Sequence, residues 1–361
     1  MRIGIVGAGQ LGRMMALAGI PLGLEFAMYD RSREVPGAAV ADIVTGDFGD
    51  AKKLARFARE VDVVTFDWEN VPVESARAIA RIRPVWPSPR ALAVAQDRLS
   101  EKRIFQRLGI PVAPFAVVNT PADLARAVAT LGVPGILKTR RLGYDGKGQA
   151  RVRRARDARA AFDRLGGQPL IYERFVDFSR EVSLIAARDR AGAIRSYPLS
   201  GNEHVNGILA VTRAPHADAR LQRAAERNHA RLMRALGYVG VLCVEYFVER
   251  GRLVANEMAP RVHNSGHWTI EGAETSQFEN HVRAIAGLPL GGTRPRGHAV
   301  MVNLIGAMPS ARDILRLPGI HWHDYGKSVR PGRKLGHVTL VTATRAARDA
   351  AARQLRRRLI S

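Results

Sequence analysis

Residues 239–268 read VGVLCVEYFVERGRLVANEMAPRVHNSGHW. The first ten alternate in polarity and are rich in Val, Tyr and Phe, which predicts a strand. A short polar turn with a glycine follows, and Leu-Val-Ala then resumes the strand. Because Glu245 and Glu257 stand at equal distances from Gly251, we expect the two carboxylates to face each other across this hairpin.

Two carboxylates directly opposite each other on neighbouring strands repel. A hard cation between them removes that repulsion, and Mg²⁺ is typically held by one or two carboxylates together with substrate phosphates. The alternative is a pair of solvated glutamates at a sheet edge. The apolar residues around Glu245 and Glu257 favour the metal site, since an exposed edge usually carries more charge.

The N-terminus predicts a parallel α/β unit. A short apolar strand, Ile3 to Val6, leads into Gly7-Ala8-Gly9-Gln10-Leu11-Gly12, a G-x-G-x-x-G turn that opens a helix. Further strands at Phe26 to Tyr29 and Val61 to Phe66 are separated by a helical segment at 51–60. Strands that alternate with helices are typical of a parallel sheet.

The glycine turn has two interpretations. With Asp30 at the end of the second strand it matches the dinucleotide fingerprint, which predicts a nicotinamide-dependent oxidoreductase. The alternative is a tight strand-to-helix turn, or a cradle for another phosphate at the helix N-terminus. Pro84, Pro87 and Pro89 interrupt the α/β pattern and predict a boundary near residue 90.

A second glycine-rich segment, Lys138 to Gly148, follows a predicted helix from Arg90 to Leu108. It lies between predicted strands at Gly135 to Thr139 and Gln149 to Val152, and it holds three glycines, two lysines and two arginines. Glycines let the backbone approach phosphates closely, and the cations neutralise them. The segment predicts a flap over a nucleotide triphosphate, with an ordinary charged hairpin as the alternative.

Three smaller clusters are further candidates. Glu173 to Val176 offers an apolar slot for adenine beside Glu181, which could bond ribose hydroxyls, although a plain strand end explains this segment as well. The loop 261–267 gathers Arg, Asn and two His side chains. The basic run Lys327 to His337 suits a phosphate, and a solvated turn is its alternative.

The composition limits the function classes. The chain has 361 residues and a net charge of +23, which raises nucleic acid as a partner. The arginines are spread along the chain, however, many on predicted helices such as Arg151 to Arg164 and Arg345 to Arg358, and no nucleic-acid-binding motif accompanies them. No apolar run of ~18 residues is present, so we expect no membrane segment and a cytoplasmic protein. Only seven lysines occur, which marks each as a candidate for a role that arginine cannot fill.

Taken together, these motifs resemble those of the ATP-grasp ligases. The match narrows to the N5-carboxyaminoimidazole ribonucleotide synthetase family. The segments that carry it follow family order across nearly the whole chain: Gly9 to Met14, Glu69 to Pro72, Gln96 to Leu99, Gly143 to Gln149, Asn256 to Trp268 and Arg330 to His337.

The resemblance implies an α/β protein, α+β overall, in three domains. These are a Rossmann-like pre-ATP-grasp domain at 1–93, an ATP-grasp domain at 94–296 with a flap subdomain at about 110–173, and a small C-terminal domain at 297–361. It also implies carboxylation of 5-aminoimidazole ribonucleotide by ATP and bicarbonate, through carboxyphosphate, to N5-carboxyaminoimidazole ribonucleotide, ADP and phosphate. The implied cofactors are ATP and one or two Mg²⁺ ions, and the implied assembly is a homodimer without nucleic acid or membrane.

Carried over by position, the resemblance also implies roles for individual residues. The metal ligands are Glu245 and Glu257. The ATP-binding residues are Arg98, Lys138, Gly143, Tyr144, Asp145, Gly146, Lys147, Glu173, Arg174, Phe175, Val176, Glu181, His204, Asn256 and Glu257. The ribonucleotide-binding residues are Gln10, Leu11, Glu69, Lys327, Arg330, Arg333 and Lys334. The catalytic residues are Arg261, His263, Tyr144, Asp145 and Lys147.

Overall fold

The computed structural model describes residues 1–143 and 146–359 of the chain. Within these two ranges the strands form three sheets with helices packed against them, and the predicted mixed α/β class is confirmed. In the same ranges no helix has both the length and the apolar character needed to cross a bilayer.

The N-terminal unit is a four-stranded parallel sheet in the order β3-β2-β1-β4. Its elements are β1 (Arg2–Val6), α1 (Gln10–Gly19), β2 (Glu25–Asp30), β3 (Asp42–Thr45), α2 (Ala51–Arg59), β4 (Val63–Phe66) and α3 (Val73–Ala80). The strands β1 and β4 are almost entirely buried, as expected for a parallel sheet covered on both faces. The predicted alternation of strands and helices is therefore confirmed.

The single helix predicted from Arg90 to Leu108 is wrong. The structure has two helices there, α4 (Pro89–Ala95) and α5 (Arg98–Arg107). The break occurs because the Asp97 carboxylate accepts hydrogen bonds from the backbone N–H groups of Leu99 and Ser100 and so caps α5. This cap places Arg98 in the first turn of α5.

A separate four-stranded sheet, in the order β5-β8-β6-β7, carries the glycine-rich loop. Its elements are β5 (Phe115–Val118), α6 (Pro121–Leu131), β6 (Gly135–Thr139), β7 (Gln149–Val152), α7 (Ala158–Leu165) and β8 (Leu170–Arg174). The predicted bounds of β6 and β7 are confirmed. A helix throughout Arg151 to Arg164 is wrong, because β7 reaches Val152 and a short 3₁₀ turn precedes α7.

The largest sheet has nine strands, in the order β14-β13-β9-β11-β12-β15-β17-β16 with β10 paired to β9. Its central elements are β9 (Arg180–Arg188), β10 (Ile194–Ser196), β11 (Ser200–Val205), β12 (Ile208–Ala214), α8 (Ala219–Ala235), β13 (Gly240–Glu249), β14 (Arg252–Ala259), α9 (Thr269–Gly272) and α10 (Gln277–Ala286). The C-terminal elements are β15 (His298–Ile305), α11 (Ala311–Leu315), β16 (Ile320–Asp324), β17 (Lys334–Thr342) and α12 (Arg345–Leu359).

The C-terminal strands extend the central sheet, because β15 pairs with β12 on one side and with β17 on the other. One buried cluster also spans the parts of the chain: Met15 of α1, Phe278 of α10 and Tyr325 after β16 all belong to it. This continuity brings the N-terminal glycine turn, the hairpin and the C-terminal basic run to one region.

Candidate active site

The hairpin of β13 and β14 places Glu245 opposite Glu257, as predicted. This pairing does not result from the equal distances of the two glutamates from Gly251 in the sequence. The turn consists of Arg250 and Gly251, so a regular register would set Glu245 against Asn256. A bulge after Glu245 leaves Asn256 unpaired and moves Glu257 into the facing position.

Each of these two glutamates has a cationic or imidazole partner. Arg98 bonds Glu257 at 2.9 Å, and His263 Nε2 lies 3.2 Å from Glu245. Burial and the nearby Glu257 raise the pKa of Glu245 to about 7. Burial acts on Glu257 in the same direction, but the Arg98 guanidinium outweighs it and holds the pKa of Glu257 below its usual value.

The bulged residue, Asn256, directly precedes Glu257 in β14. Its Oδ1 is buried without a hydrogen-bond partner, which is costly unless a ligand satisfies it. No cluster of three or more His, Cys, Asp or Glu side chains suited to a metal occurs in 1–143 and 146–359. Two carboxylates and an amide oxygen fit Mg²⁺, which usually takes few protein ligands and completes its shell with water and phosphate oxygens.

Buried charges connect this pair to β8. Glu173 forms ion pairs with Lys138 at 3.1 Å and with Lys102 at 3.2 Å. Lys102 also donates a hydrogen bond to the backbone carbonyl of Asn256 at 3.0 Å. Burial would raise the pKa of Glu173, but Lys102 and Lys138 prevail and lower it to about 2. Lys102 is the residue that the sequence interpretation missed, although the scarcity of lysines had made it a candidate.

The segment predicted as the adenine hinge, Glu173 to Val176, lies at the end of β8 and just after it. The N–H groups of Arg174 and Phe175 donate to the backbone carbonyls of Pro114 and Pro134, whereas the Val176 N–H has no protein acceptor within the described residues. Nearby, His204 Nδ1 lies 2.7 Å from Glu181 Oε2.

The rings of Phe178 and Phe247 stack beside the hinge, with centroids 4.6 Å apart. Phe247 pairs with Glu181 across β13 and β9, so the two side chains lie on one face of the sheet. Sequence analysis did not single out Phe247, because its position on this face depends on the register between the two strands.

The glycine-rich loop folds back onto this region. The Gly143 carbonyl accepts from Arg98 at 3.4 Å, and a side chain at Gly146 would touch the Asn206 carbonyl in the β11–β12 turn. Gly146 also has a φ of 76°, which favours glycine. Lys147 is exposed, and the predicted residues Tyr144 and Asp145 lie outside the described residues.

A second group of predicted residues gathers at the N-terminal turn. Lys327 donates to the Gln10 side chain, and Arg261 donates to Glu69. The Lys334 charge adds to the effect of Arg261 in lowering the pKa of Glu69, and it partly offsets the rise in the pKa of Glu245, so Lys334 lies near both groups of residues. The loop that holds Arg261 and His263 therefore separates the two groups and contacts both.

Comparisons with known proteins agree with this geometry. Family models match three consecutive parts of the chain: the ribonucleotide synthetase preATP-grasp domain at residues 1–96, the ATP-grasp domain at 103–278 and the phosphoribosylaminoimidazole carboxylase C-terminal domain at 299–351. The N5-carboxyaminoimidazole ribonucleotide synthase of Pseudomonas aeruginosa is 50% identical over 346 residues, which cover 96% of each chain. This chain belongs to the N5-carboxyaminoimidazole ribonucleotide synthase family.

Solved structures of the synthase family have the same architecture. The crystal structure of the Thermus thermophilus synthetase is 52% identical, has a TM-score of 0.95 and is matched over 99% of this chain and 98% of its own. The Aspergillus clavatus synthase, in complex with ADP and 5-aminoimidazole ribonucleotide, is 29% identical with a TM-score of 0.92, over 98% and 97% of the two chains. By family, the present chain is an ATP-grasp ligase.

Membership of the synthase family rules out the oxidoreductase interpretation, and the glycine turn agrees. Asp30 accepts from the N–H of Ala8 at 2.8 Å, so this carboxylate is engaged by the turn itself. Asp67 lies behind the turn, where a side chain at Gly9 would come within 2.6 Å of its Oδ2. The turn glycines therefore accommodate an internal carboxylate.

A few predicted site residues lie apart from these two groups. Arg330 is exposed, and Arg333, which is half-buried, donates to Ser328. Arg174 pairs with Glu249, away from the two facing glutamates. The Leu11 side chain is buried in the core, so only its backbone can contact a ligand.

Proposed function

We propose that this chain carboxylates 5-aminoimidazole ribonucleotide with ATP and bicarbonate, releasing N5-carboxyaminoimidazole ribonucleotide, ADP and phosphate. The observation that carries the proposal is the loop of Arg261 and His263. It joins the Glu245 and Glu257 pair, suited to a phosphate-bound metal, to the group of Gln10, Glu69 and Lys327. A phosphoryl-transfer site and a ribonucleotide site thus share one loop.

ATP binds between the small sheet and the nine-stranded sheet in this proposal. The Val176 N–H meets adenine, Phe247 lies beneath it, and Glu181 with His204 faces the ribose. Arg98 and Lys138 contact the phosphates. Both already pair with carboxylates, so a bound phosphate adds to networks whose geometry is fixed in advance.

Glu245 and Glu257, with help from Asn256, would hold one or two Mg²⁺ ions. A metal bound there would neutralise charge on the transferred phosphoryl group. Arg98 leaves Glu257 ionised, and His263 orients Glu245. The Ser265 N–H donates to His263 Nδ1 at 3.2 Å, so the ring proton is on Nε2, which faces Glu245.

The chemistry takes place at the shared loop in two steps. A bicarbonate oxygen attacks the γ-phosphorus of ATP, ADP leaves, and carboxyphosphate forms next to Arg261. The exocyclic amine of the ribonucleotide then attacks the carboxyl carbon, phosphate leaves, and the departing phosphate accepts the amine proton. Burial and the Arg261 charge hold the pKa of His263 well below its usual value, so His263 stays neutral and does not add positive charge.

The remaining groups close the site. Gly143 to Lys147, with Tyr144 and Asp145, form the flap that excludes water from carboxyphosphate. Lys327 and Lys334, with Arg330 and Arg333 at the rim, bind the 5′-phosphate of the ribonucleotide. We also expect a cytoplasmic homodimer, on the family resemblance alone, and sedimentation velocity will measure the mass of the assembly.

The decisive experiment measures ADP release from Mg-ATP with and without bicarbonate and 5-aminoimidazole ribonucleotide. We expect release to require both substrates, and formate not to replace bicarbonate. Glu257→Gln should abolish ADP release, because it removes a metal ligand, while Glu25→Gln on the exposed end of β2 should not change it. ADP release that responds to neither substrate would refute the proposed acceptor.

A further inference from the structure

A cavity of about 360 Å³ lies between the nine-stranded sheet and the start of α12. Strands β9 and β12 contribute Arg180 and Arg213, and α12 contributes Arg345, Arg348 and Arg353. His216, which follows β12, also lines the cavity. No role in the proposed reaction uses any of these side chains.

The arginines and His216 of the cavity lie on the face of the sheet opposite the candidate active site, and Glu181 and Asn202 of the active-site face also line it. Side chains alternate along a strand, and paired residues of neighbouring strands point the same way. Glu181 faces the active site, where it bonds His204, so its neighbour Arg180 points to the other face. Gly201 pairs with Arg213 on β12, and a side chain at Gly201 would point at His216, 3.6 Å from Nδ1.

The charges in this cavity are unbalanced. Asp349 pairs with Arg348 at 2.8 Å and lies 3.7 Å from Arg345. Arg213 is paired with Glu203 at 3.3 Å. In the described part of the chain, Arg180 and Arg353 form no ion pair, although they stand on opposite walls of the cavity.

The imidazole of His216 lies beside these arginines, and their positive charge affects its pKa. Its backbone N–H bonds Leu199, which fixes its place, and Arg180 Nη1 lies 3.4 Å from its Nε2. Burial lowers the pKa of His216, and Arg180 lowers it further. Asp218 opposes this shift, and Arg345 and Arg348 add to it. The imidazole therefore remains neutral where an anion would favour its charged form.

We propose that this cavity is a second anion site, which takes a compact ligand with two phosphate groups. Guanidinium forks suit phosphate oxygens in shape and charge. Among the residues that the structure describes, Arg180 and Arg353 form no ion pair, and they lie on opposite walls. They therefore suit a ligand with two phosphate groups better than a ligand with a single phosphate group. The lining has no Phe, Tyr or Trp on which a base could stack, so the site selects the diphosphate rather than a whole nucleotide.

The ring protons of His216 give a direct test by NMR, with pyrophosphate as the probe and the His216→Gln variant to assign the signal. We expect pyrophosphate in the millimolar range to move the titration midpoint of His216 up by about one pH unit, since an opposite charge nearby favours the imidazolium. Chloride at the same ionic strength should leave the midpoint unchanged. An unchanged midpoint with pyrophosphate, or a larger response to ADP than to pyrophosphate, would overturn the proposal.

Two matched variants on α12 separate a site from general attraction to a basic protein. Arg353→Gln should weaken pyrophosphate binding at His216 about tenfold, the usual effect of losing one charge-assisted hydrogen bond. Arg358→Gln removes the same charge from an exposed position outside the cavity, and binding should change less than twofold. Equal weakening in both variants would refute a built site. Because the readout is binding at His216, its result is independent of the proposed carboxylation.

Discussion

The scarcity of lysines made Lys102 a candidate for a special role, but only the structure shows what that role is. Only seven of the 56 Lys and Arg residues are lysines, so each lysine was a candidate for a special role. The sequence did not show which ones would be buried, because burial depends on how α5 packs against β14. The structure places the Lys102 side chain, only 1% exposed, between Glu173 and the Asn256 carbonyl.

We therefore predict that Lys102→Met destabilises the protein by about 3 kcal/mol, because it leaves a buried carboxylate with one cation instead of two. It should also weaken ATP binding, since Lys102 supports both Glu173 and Asn256. Urea unfolding and nucleotide titration measure the two effects. Lys52→Met, at an exposed position of α2, is the control. A loss below about 1 kcal/mol would show that Lys138 alone compensates Glu173.

Lys327 predicts a pH dependence of ribonucleotide use. Burial lowers the pKa of Lys327 to about 8, against the opposing charge of Asp67. Below pH 8 the ammonium attracts the 5′-phosphate, and above it the neutral amine does not. We expect kcat/KM for the ribonucleotide to fall above about pH 8 while kcat stays flat, because bound phosphate keeps the ammonium charged.

Lys327→Arg tests this assignment, because a guanidinium stays charged throughout the accessible range. In that variant the fall above pH 8 should disappear, even if binding is weaker at all pH values. The same fall in both proteins would assign it to another group.

At the scale of elements, the break between α4 and α5 was missed because both helices have good helical sequences on either side of Asp97. Asp97 is a residue type that often caps helices. The sequence analysis included it only in a segment that resembles the family, and did not predict that it begins a helix. In the structure Asp97 caps α5 and also accepts from Arg140 on the glycine-rich loop at 2.5 Å. One carboxylate thus fixes both the start of α5, where Arg98 lies, and the base of the flap.

We predict that Asp97→Ala costs about 2–3 kcal/mol, which is more than a cap alone, because Arg140 also loses a buried partner. The KM for ATP should rise, since Arg98 follows the cap directly. Ser88→Ala removes the corresponding cap of α4 and should cost about 1 kcal/mol without an effect on ATP. Equal effects of the two substitutions would refute a second role for Asp97.

The hairpin was the most predictable part of the site, because alternation and a glycine turn are local signals. The facing position of Glu245 and Glu257, on which the proposed metal site rests, still depends on a bulge at Asn256 that the sequence did not indicate. Strands β11 and β12 were not predicted, because polar residues such as Asn202 and His204 face the site and weaken the apolar alternation. The face that each residue takes is set by the pairing of β11 with β9 and of β12 with β11, which is a tertiary property.

At the scale of the whole molecule, the place of the C-terminal strands in the central sheet was not predicted. Local sequence identifies a strand without naming its partner. The pairing of β15 with β12 leaves no sheet edge between the central and C-terminal regions. Leu304 on β15 is 1% exposed and belongs to a cluster that also includes Ala210 and Val211 of β12. The two regions should therefore unfold together.

Hydrogen exchange tests this cooperativity with Leu304→Ala, a change that should cost about 2–5 kcal/mol through the cavity it leaves. If β12 and β15 open as one unit, amides of β13 should exchange faster by the same factor as those of β15 and β17. Leu315→Ala, at a position 54% exposed, should leave both sets unchanged. Acceleration confined to β15 and β17 would mean that the C-terminal strands open on their own, and that Lys327 and Lys334 can leave the proposed ribonucleotide site without unfolding the hairpin.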